Sequence, residues 1–284
     1  MTAELTPGSV HKDVANALDE DVGAGDLTAG LVDESALTGA QVIAREPMII
    51  AGRPWFDEVF RQLDDRVIVD WYIDDGRDAD TNDVICKLVG PARAILSGER
   101  TALNFLQTLS ATATQTARYV AAIEGTRARL LDTRKTLPGL RLAQKYAVRQ
   151  GGGHNHRIGL FDAILVKENH IKAAGGIAEV LQKTAGIDDE VLVEIEVESL
   201  AEMKIALDAG ATRILLDNFG LDELREAVRT NAGYGYVAAE LEASGNVTLD
   251  TIRDIAETGV DFISTGAITK NVAASDLTML FSID

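Results

Sequence analysis

Between Ser9 and Val22 the apolar residues Val10, Val14 and Leu18 recur at helical spacing, and Ser9, behind Pro7 and Gly8, is placed to cap the segment. The run Val22-Gly23-Ala24-Gly25-Asp26 comes after a helix rather than a strand, so it reads as a turn and not as a phosphate loop. From Ala40 to Leu96 the period shortens to two. Val67, Val69, Trp71 and Ile73 alternate, as do Val84, Cys86 and Leu88, with turns at Asp75-Gly76 and Gly90-Pro91. Trp55 to Leu63 fits a short helix, so this part predicts helices on an antiparallel sheet. A long helix follows, from about Gly98 to Gly125, with Leu103, Leu106, Ala113, Ala117 and Val120 on one stripe and Ser97 as its cap.

Beyond that helix the pattern becomes strand-then-helix. Apolar runs lie at Arg129 to Asp132, Ala163 to Val166, Val191 to Val197, Arg213 to Leu216, Ala238 to Leu241 and Phe262 to Ser264. Helical patterns at Ile177 to Ala185, Leu200 to Ala209, Leu221 to Thr230 and Leu249 to Thr258 separate most of them, which predicts a parallel sheet. An open doubly wound sheet needs a glycine-rich first turn, and no G-x-G-x-x-G follows any of these strands. Instead the strands end in charged or polar residues: Asp132 to Lys135, Lys167-Glu168-Asn169, Glu194 and Glu196, Asp217-Asn218, Glu240 and Glu242, Ser264-Thr265. Reactive groups at several C-terminal strand ends mark a (β/α) barrel, here incomplete with six strands.

Composition narrows the class of function. The 284 residues carry a formal charge of −18, which disfavours nucleic-acid and membrane-surface partners over most of the molecule. The segment Arg127 to Lys172 reverses this, with ten Lys/Arg against three Asp/Glu. Its cations interleave with glycines and strand-like runs rather than lining a helix, as a built anion site would. One cysteine, Cys86, excludes an internal disulfide framework and a cysteine-rich zinc module. No apolar run approaches the ~20 residues of a membrane helix, and Met1 to Val10 lacks the features of a signal peptide, so a cytoplasmic protein is expected.

Arg134 offers a fork for a carboxylate or phosphate and Lys135 a point charge, directly after a strand and before Pro138-Gly139. Gly151-Gly152-Gly153 precedes His154-Asn155-His156-Arg157; three glycines suit a close backbone approach. His154 and His156 sit at metal-ligand spacing, but Arg157 beside them fits an anion better than a cation. Glu196 and Asp217 end strands and suit either a divalent ion or a developing positive charge, while register leaves open which of Glu194, Glu196 and Glu198 faces inward. The loops Ser244-Gly245-Asn246 and Thr265-Gly266-Ala267 offer backbone N–H groups to a phosphate. Arg100, read as lying in the first turn of the long helix, is unfavourable there without an anion nearby.

Together these residues resemble the quinolinate phosphoribosyltransferase family. The matching pieces are Glu99 to Asn104, Asp132 to Thr136 with Pro138-Gly139, Gly151 to Gly153 with Asn155-His156-Arg157, and Lys167 to His170. Glu194 to Val197, Leu216-Asp217-Asn218, Ser244-Gly245-Asn246 and Gly259 to Ser264 complete the series. The resemblance implies a type II phosphoribosyltransferase-like fold. An N-terminal α/β sandwich (residues 1–112, joined by the tail 269–284) accompanies an open (β/α) barrel at 113–268. It implies phosphoribosyl transfer from phosphoribosyl pyrophosphate to quinolinate with loss of CO2, assisted by Mg²⁺ that travels with pyrophosphate near Glu196 and Asp217. It also implies a head-to-tail homodimer, able to assemble further to a hexamer, in which Arg100 reaches the neighbour's barrel.

By that resemblance Arg100, Arg134, His156 and Arg157 bind the two carboxylates, and Lys135 and Lys167 meet pyrophosphate and carboxylate. Glu196 and Asp217 hold ribose hydroxyls or the metal, the loops at Ser244 to Asn246 and Thr265 to Ala267 hold the 5-phosphate, and Thr133 is a further substrate-binding residue. Lys135, Lys167, Glu196 and Asp217 are then the catalytic candidates. A paralogue acting on another acidic acceptor, and a phosphate-binding barrel without turnover, are the competing readings.

Overall fold

The computed structural model describes residues 5–184, 186–188 and 191–282. Residues 1–4 of the N-terminal segment, and Ala185 at the end of the helix expected from Ile177, lie outside the described residues. Contacts divide the chain into two units, one of residues 5–117, 136–152 and 268–282 and one of residues 118–135 and 153–267.

The first unit begins with α1 (Pro7–Asp21). Its cap is Thr6, whose hydroxyl accepts from the Ser9 amide at 3.2 Å; Ser9, expected as the cap, is already inside the helix. Proline tolerates the first helical turn because its missing N–H would have no partner there. After the turn come β1 (Leu37–Ala44), β2 (Met48–Ile49), α2 (Arg53–Leu63), β3 (Ile68–Trp71), β4 (Asp78–Ala79) and β5 (Val84–Pro91). The antiparallel sheet has the order β12-β1-β5-β3, where β12 (Leu277–Ser282) is the C-terminal strand, and β2 pairs separately with β4. Trp55, Phe56, Phe60, Cys86 and Leu88 are fully buried in the core between α2 and this sheet. Phe56 stands edge-on to both Phe60 and Trp71, with ring centroids 5.3 and 5.2 Å apart.

The long helix α3 (Ala92–Ala122) starts six residues earlier than its sequence pattern indicates. Gly98 reads as a helix boundary but is a packing residue: a Cβ there would lie 2.7 Å from Phe60 Cε1. Ser97 is therefore no cap, and its hydroxyl donates instead to Asp26 Oδ2 at 2.8 Å. Arg100 falls more than two turns into the helix and is exposed, so the helix-start argument for an anion beside it does not hold. The division between these contact units runs through α3 at 117/118, and it assigns residues 136–152 to the first unit. That segment carries α4 (Arg141–Gln150), whose Gln144 Nε2 donates to the Thr112 hydroxyl (3.4 Å) and the Thr269 carbonyl (2.7 Å).

The second unit contains β6 (Arg129–Leu131), β7 (Ala163–Val166), α5 (Glu168–Ala174), α6 (Ile177–Thr184), β8 (Leu192–Val197) and α7 (Leu200–Asp208). It continues with β9 (Arg213–Asp217), α8 (Leu221–Ala232), β10 (Glu240–Ser244), α9 (Ile252–Ala256) and β11 (Phe262–Ser264); α10 (Ala267–Lys270) then leads out of the unit. The parallel sheet runs β6-β11-β10-β9-β8-β7, so first and last strands in sequence pair and the sheet wraps into a barrel. At its open seam β6 gains only a bridge from Leu131 to His154. One strand is displaced from its expected position. β10 begins at Glu240, after a 3₁₀ turn at Gly235–Val237, and runs to Ser244, so Glu242 is a mid-strand residue and not a strand end. Among the described residues no helix is long and apolar enough to cross a membrane.

Candidate active site

Period two puts Glu194 and Glu196 on one side of β8, Arg213, Leu215 and Asp217 on one side of β9, and Glu240, Glu242 and Ser244 on one side of β10. Register aligns them: Glu196 lies opposite Leu215, Leu215 opposite Glu242, and Asp217 opposite Ser244. A cavity of about 160 Å³ opens within this unit. Of the predicted residues, Thr133, Arg134, Lys135, His156, Arg157, Lys167, Glu196 and Ser244 line it. Asp217, Gly245, Asn246, Thr265, Gly266 and Ala267 are not in its wall, and Arg100 belongs to the other unit.

Asp132, fully buried at the end of β6, organises the histidine segment. Its Oδ1 accepts from the His156 amide at 2.9 Å and its Oδ2 from Asn155 Nδ2 at 2.7 Å. The glycines before that segment permit its path. A Cβ on Gly151 would lie 2.3 Å from the Ala113 carbonyl oxygen, and Gly152 has φ +81°. His154 bridges to β6 through its backbone while its side chain is exposed, so it does not join His156 in a metal site.

Four cations surround the cavity. The Thr133 hydroxyl accepts from the Lys135 amide at 3.0 Å and shapes the turn that presents Arg134 and Lys135. Gly266 lies under the Lys135 stem, where a Cβ would be 2.9 Å from Lys135 Cδ. Burial lowers the pKa of the Arg157 guanidinium, and the neighbouring charge of Arg134 lowers it further; an anion between them would relieve both. Lys167, at the end of β7, pairs with Glu196 of the neighbouring strand β8. Asp217 Oδ2 accepts from Asn218 Nδ2 at 2.8 Å.

The two loops assigned to phosphate differ. Gly245 has φ +100° and a Cβ there would sit 2.1 Å from Asn218 Oδ1, so only glycine fits; Asn246 follows with φ +49°. The amides of Gly245 and Asn246 have no hydrogen-bond partner among the described residues and are available as donors. In the other loop the Thr265 amide is taken by the Leu131 carbonyl (3.1 Å) and the Ala267 amide by the Thr265 hydroxyl (3.2 Å). Both amides are thus engaged within the protein.

Beneath the cations lies a buried group that the sequence reading did not assemble. His156 Nε2 is 2.8 Å from Glu194 Oε2 and 3.7 Å from Glu242 Oε1. Arg213 spans the same carboxylates, with Nε 3.3 Å from Glu194, Nη2 3.0 Å from Glu242 and Nη1 3.0 Å from the exposed Glu240. Its guanidinium carbon lies 3.6 Å from the Phe262 ring centroid. Burial opposes charge on His156, but the bond to Glu194 and the charges of Glu242 and Glu194 outweigh it and raise its pKa. His156 Nδ1 accepts from the Arg157 amide at 2.7 Å, which requires a lone pair there and puts the ring proton on Nε2. Both nitrogens are thus engaged by protein, and His156 orients Arg157 rather than presenting a free N–H to a carboxylate. Of the three alternating glutamates, Glu196 faces the cavity, Glu194 lies below it, and Glu198 is exposed beyond the strand.

Known proteins agree with this architecture over nearly the whole chain. Residues 26–110 match the model of the quinolinate phosphoribosyl transferase N-terminal domain and residues 112–280 that of the C-terminal domain. The probable nicotinate-nucleotide pyrophosphorylase [carboxylating] of Bacillus subtilis is 39% identical over 261 residues, covering 92% of this chain and 89% of that protein. The nicotinate-nucleotide pyrophosphorylase [carboxylating] of Mycobacterium leprae is 37% identical, covering 98% and 99%. A solved structure of the nicotinate-nucleotide pyrophosphorylase from Francisella tularensis superposes with a TM-score of 0.95 at 46% identity, covering 99% of each chain.

Proposed function

The chain belongs to the quinolinate phosphoribosyl transferase family, and from that premise we propose how its site carries out the reaction. The enzyme transfers the phosphoribosyl group of phosphoribosyl pyrophosphate to quinolinate with decarboxylation, giving nicotinate mononucleotide, pyrophosphate and CO2 for NAD biosynthesis. The observation that carries the site assignment is the ring of Arg134, Lys135, Arg157 and Lys167 around one small cavity whose other wall bears Glu196.

Arg134 and Arg157, two guanidiniums that repel each other, take the two carboxylates of the acceptor. Lys135 meets the pyrophosphate, and Lys167, held by Glu196, reaches acceptor and pyrophosphate. The open amides of Gly245 and Asn246, beside Ser244, take the 5-phosphate. As the bond from ribose C1 to pyrophosphate breaks, positive charge grows on the sugar, and the carboxylates of Glu196 and Asp217 stabilise it while holding the ribose hydroxyls. The pyridine nitrogen then bonds to C1. The positive ring accepts the electron pair left when the adjacent carboxylate departs as CO2, and a proton replaces it. No protein nucleophile is needed.

Mg²⁺ would serve here as a partner of the pyrophosphate rather than as a caged ion, and would neutralise charge on the leaving group. The oxygens of Glu196 and Asp217 suit its water shell, whereas the buried Glu194 and Glu242 beside His156 already hold the Arg213 cation. We further place Arg100 of one protomer in the barrel of the next, in a homodimer able to assemble to a hexamer; its exposure on α3 supports this. The lone, buried Cys86 fits a reducing compartment, and we place the enzyme in the cytoplasm. Incubation with both substrates and Mg²⁺ tests the reading: pyrophosphate and CO2 should appear in equal amounts, and a chelator should stop both. Neither product with quinolinate, but pyrophosphate release with another acidic acceptor, would point to the paralogue, and ligand binding without turnover of any acceptor to a barrel that only binds.

A further inference from the structure

The buried group under His156 contains one negative charge too many. Arg213 balances one of Glu194 and Glu242, both inaccessible to water; Arg134 and Arg157 line the same cavity, and Arg157 feels the charge of Glu194, but among the described residues only His156 besides Arg213 pairs directly with either carboxylate. The surrounding groups are Glu194 from β8, Arg213 from β9, Glu240 on β10 itself but exposed, Ser264 and Phe262 from β11, and His156 with the Asp132 carboxylate behind its amide. An uncompensated carboxylate in such a place is costly, so the group holds one additional proton. His156 and Glu242 are its two candidate holders. The Arg157 amide decides between them, because it points its N–H at His156 Nδ1, where a second imidazole proton would have to sit. Glu242 Oε1, buried and without any hydrogen-bond partner, is the remaining place.

We propose that Glu242 is a positioning residue that carries this proton, keeping the wall of the acceptor pocket neutral and His156 locked against Glu194. The assignment rests on the quinolinate reading of the cavity. Glu242 lines that cavity, so a negative charge on it would oppose a dicarboxylate at Arg134 and Arg157. Burial, then the charge of Glu194, pushes its carboxyl up to about 7, which agrees with the geometry.

The test is Glu242→Gln, the isostere of the neutral acid, with KM for quinolinate measured from pH 6 to 8.5. In the wild type KM should rise above pH 7, by at most about tenfold per pH unit, with KM for phosphoribosyl pyrophosphate less affected. In the variant the rise should flatten to less than about twofold. Infrared spectra of the wild type should show a protonated carboxyl band that disappears between pH 6 and 8.5 and is missing from the variant. This measurement needs neither turnover nor a well-behaved variant. Parallel KM profiles in both proteins, or no such band in the wild type, would overturn the proposal. A band without turnover of quinolinate would overturn the functional reading and the link to acceptor binding, while leaving the proton on Glu242.

Discussion

Adding one methyl group at Gly266 should displace the lysine assigned to pyrophosphate. In Gly266→Ala the new Cβ would lie 2.9 Å from Lys135 Cδ, 3.1 Å from Lys135 Cβ and 3.3 Å from Thr133 Oγ1. Carbon–carbon contacts become comfortable at about 3.5 Å, so the lysine stem must retreat by about half an ångström. The backbone at Gly266 has no positive φ, so the alanine backbone itself is unstrained, and it is the Lys135 stem and the Thr133 hydroxyl that must give way around the buried methyl group. A misplacement of 1 Å in a catalytic group can cost about 100-fold, so half of that should cost about tenfold in kcat/KM, or ~1.4 kcal/mol. The assay is pyrophosphate release at varied phosphoribosyl pyrophosphate, beside thermal melting and Lys135→Ala as the limiting case. The melting temperature should fall by only about 2–6 °C, because overpacking a buried position costs about 1–3 kcal/mol. If Gly266→Ala keeps full kcat/KM while Lys135→Ala loses it, the position of the lysine stem is not what Gly266 controls.

Two further outcomes follow from the buried and shared parts of the site. Arg213→Ala leaves Glu194 and Glu242 buried without their cation, a loss of about 3–5 kcal/mol. Because Glu242 is raised above its ordinary value, its favourable neutral form is present below about 4.5 and is lost as pH rises through about 7. The variant's deficit in melting temperature should therefore be larger at pH 8 than at pH 5, and an equal deficit at both would refute the charge argument. If Arg100 serves the partner's barrel, Arg100→Ala and Lys167→Ala should each be inactive alone. After complete subunit exchange they should regain roughly a quarter of wild-type activity, since half the dimers are mixed and each mixed dimer has one intact site. No recovery would keep Arg100 out of the neighbour's site.

The strand-helix alternation after Gly125 was readable because each parallel strand is a short apolar run ending in charge, and the runs at 163–166, 213–216 and 262–264 nearly coincide with β7, β9 and β11. The cavity cations were readable for the same reason: Arg134, Lys135 and Lys167 follow strands directly. What period two could not supply was depth. Glu194 and Glu196 share a face of β8, and only the stagger of β9 and β10 puts one under the cavity and the other in its wall. Arg213 escaped notice because it opens its strand, far from the end where chemistry is expected, and Glu242 was read as a strand end because β10 starts later than its apolar run. The start of α3 was misread at Gly98, a glycine retained for contact with Phe60 rather than to end a helix; no local pattern distinguishes the two uses.

The central claim is that the cavity is built for two carboxylates, and comparing quinolinate with nicotinate tests it most directly. Nicotinate lacks the second carboxylate and would leave one of the half-buried guanidiniums of Arg134 and Arg157 without its anion. A site built around a polar group rejects the analogue lacking it by about 10⁴-fold or more. Pyrophosphate release should therefore be rapid with quinolinate, with kcat/KM for nicotinate lower by at least about that factor at pH 7. Comparable values for the two acids would contradict the account, because the paired cations would then not be what selects the substrate.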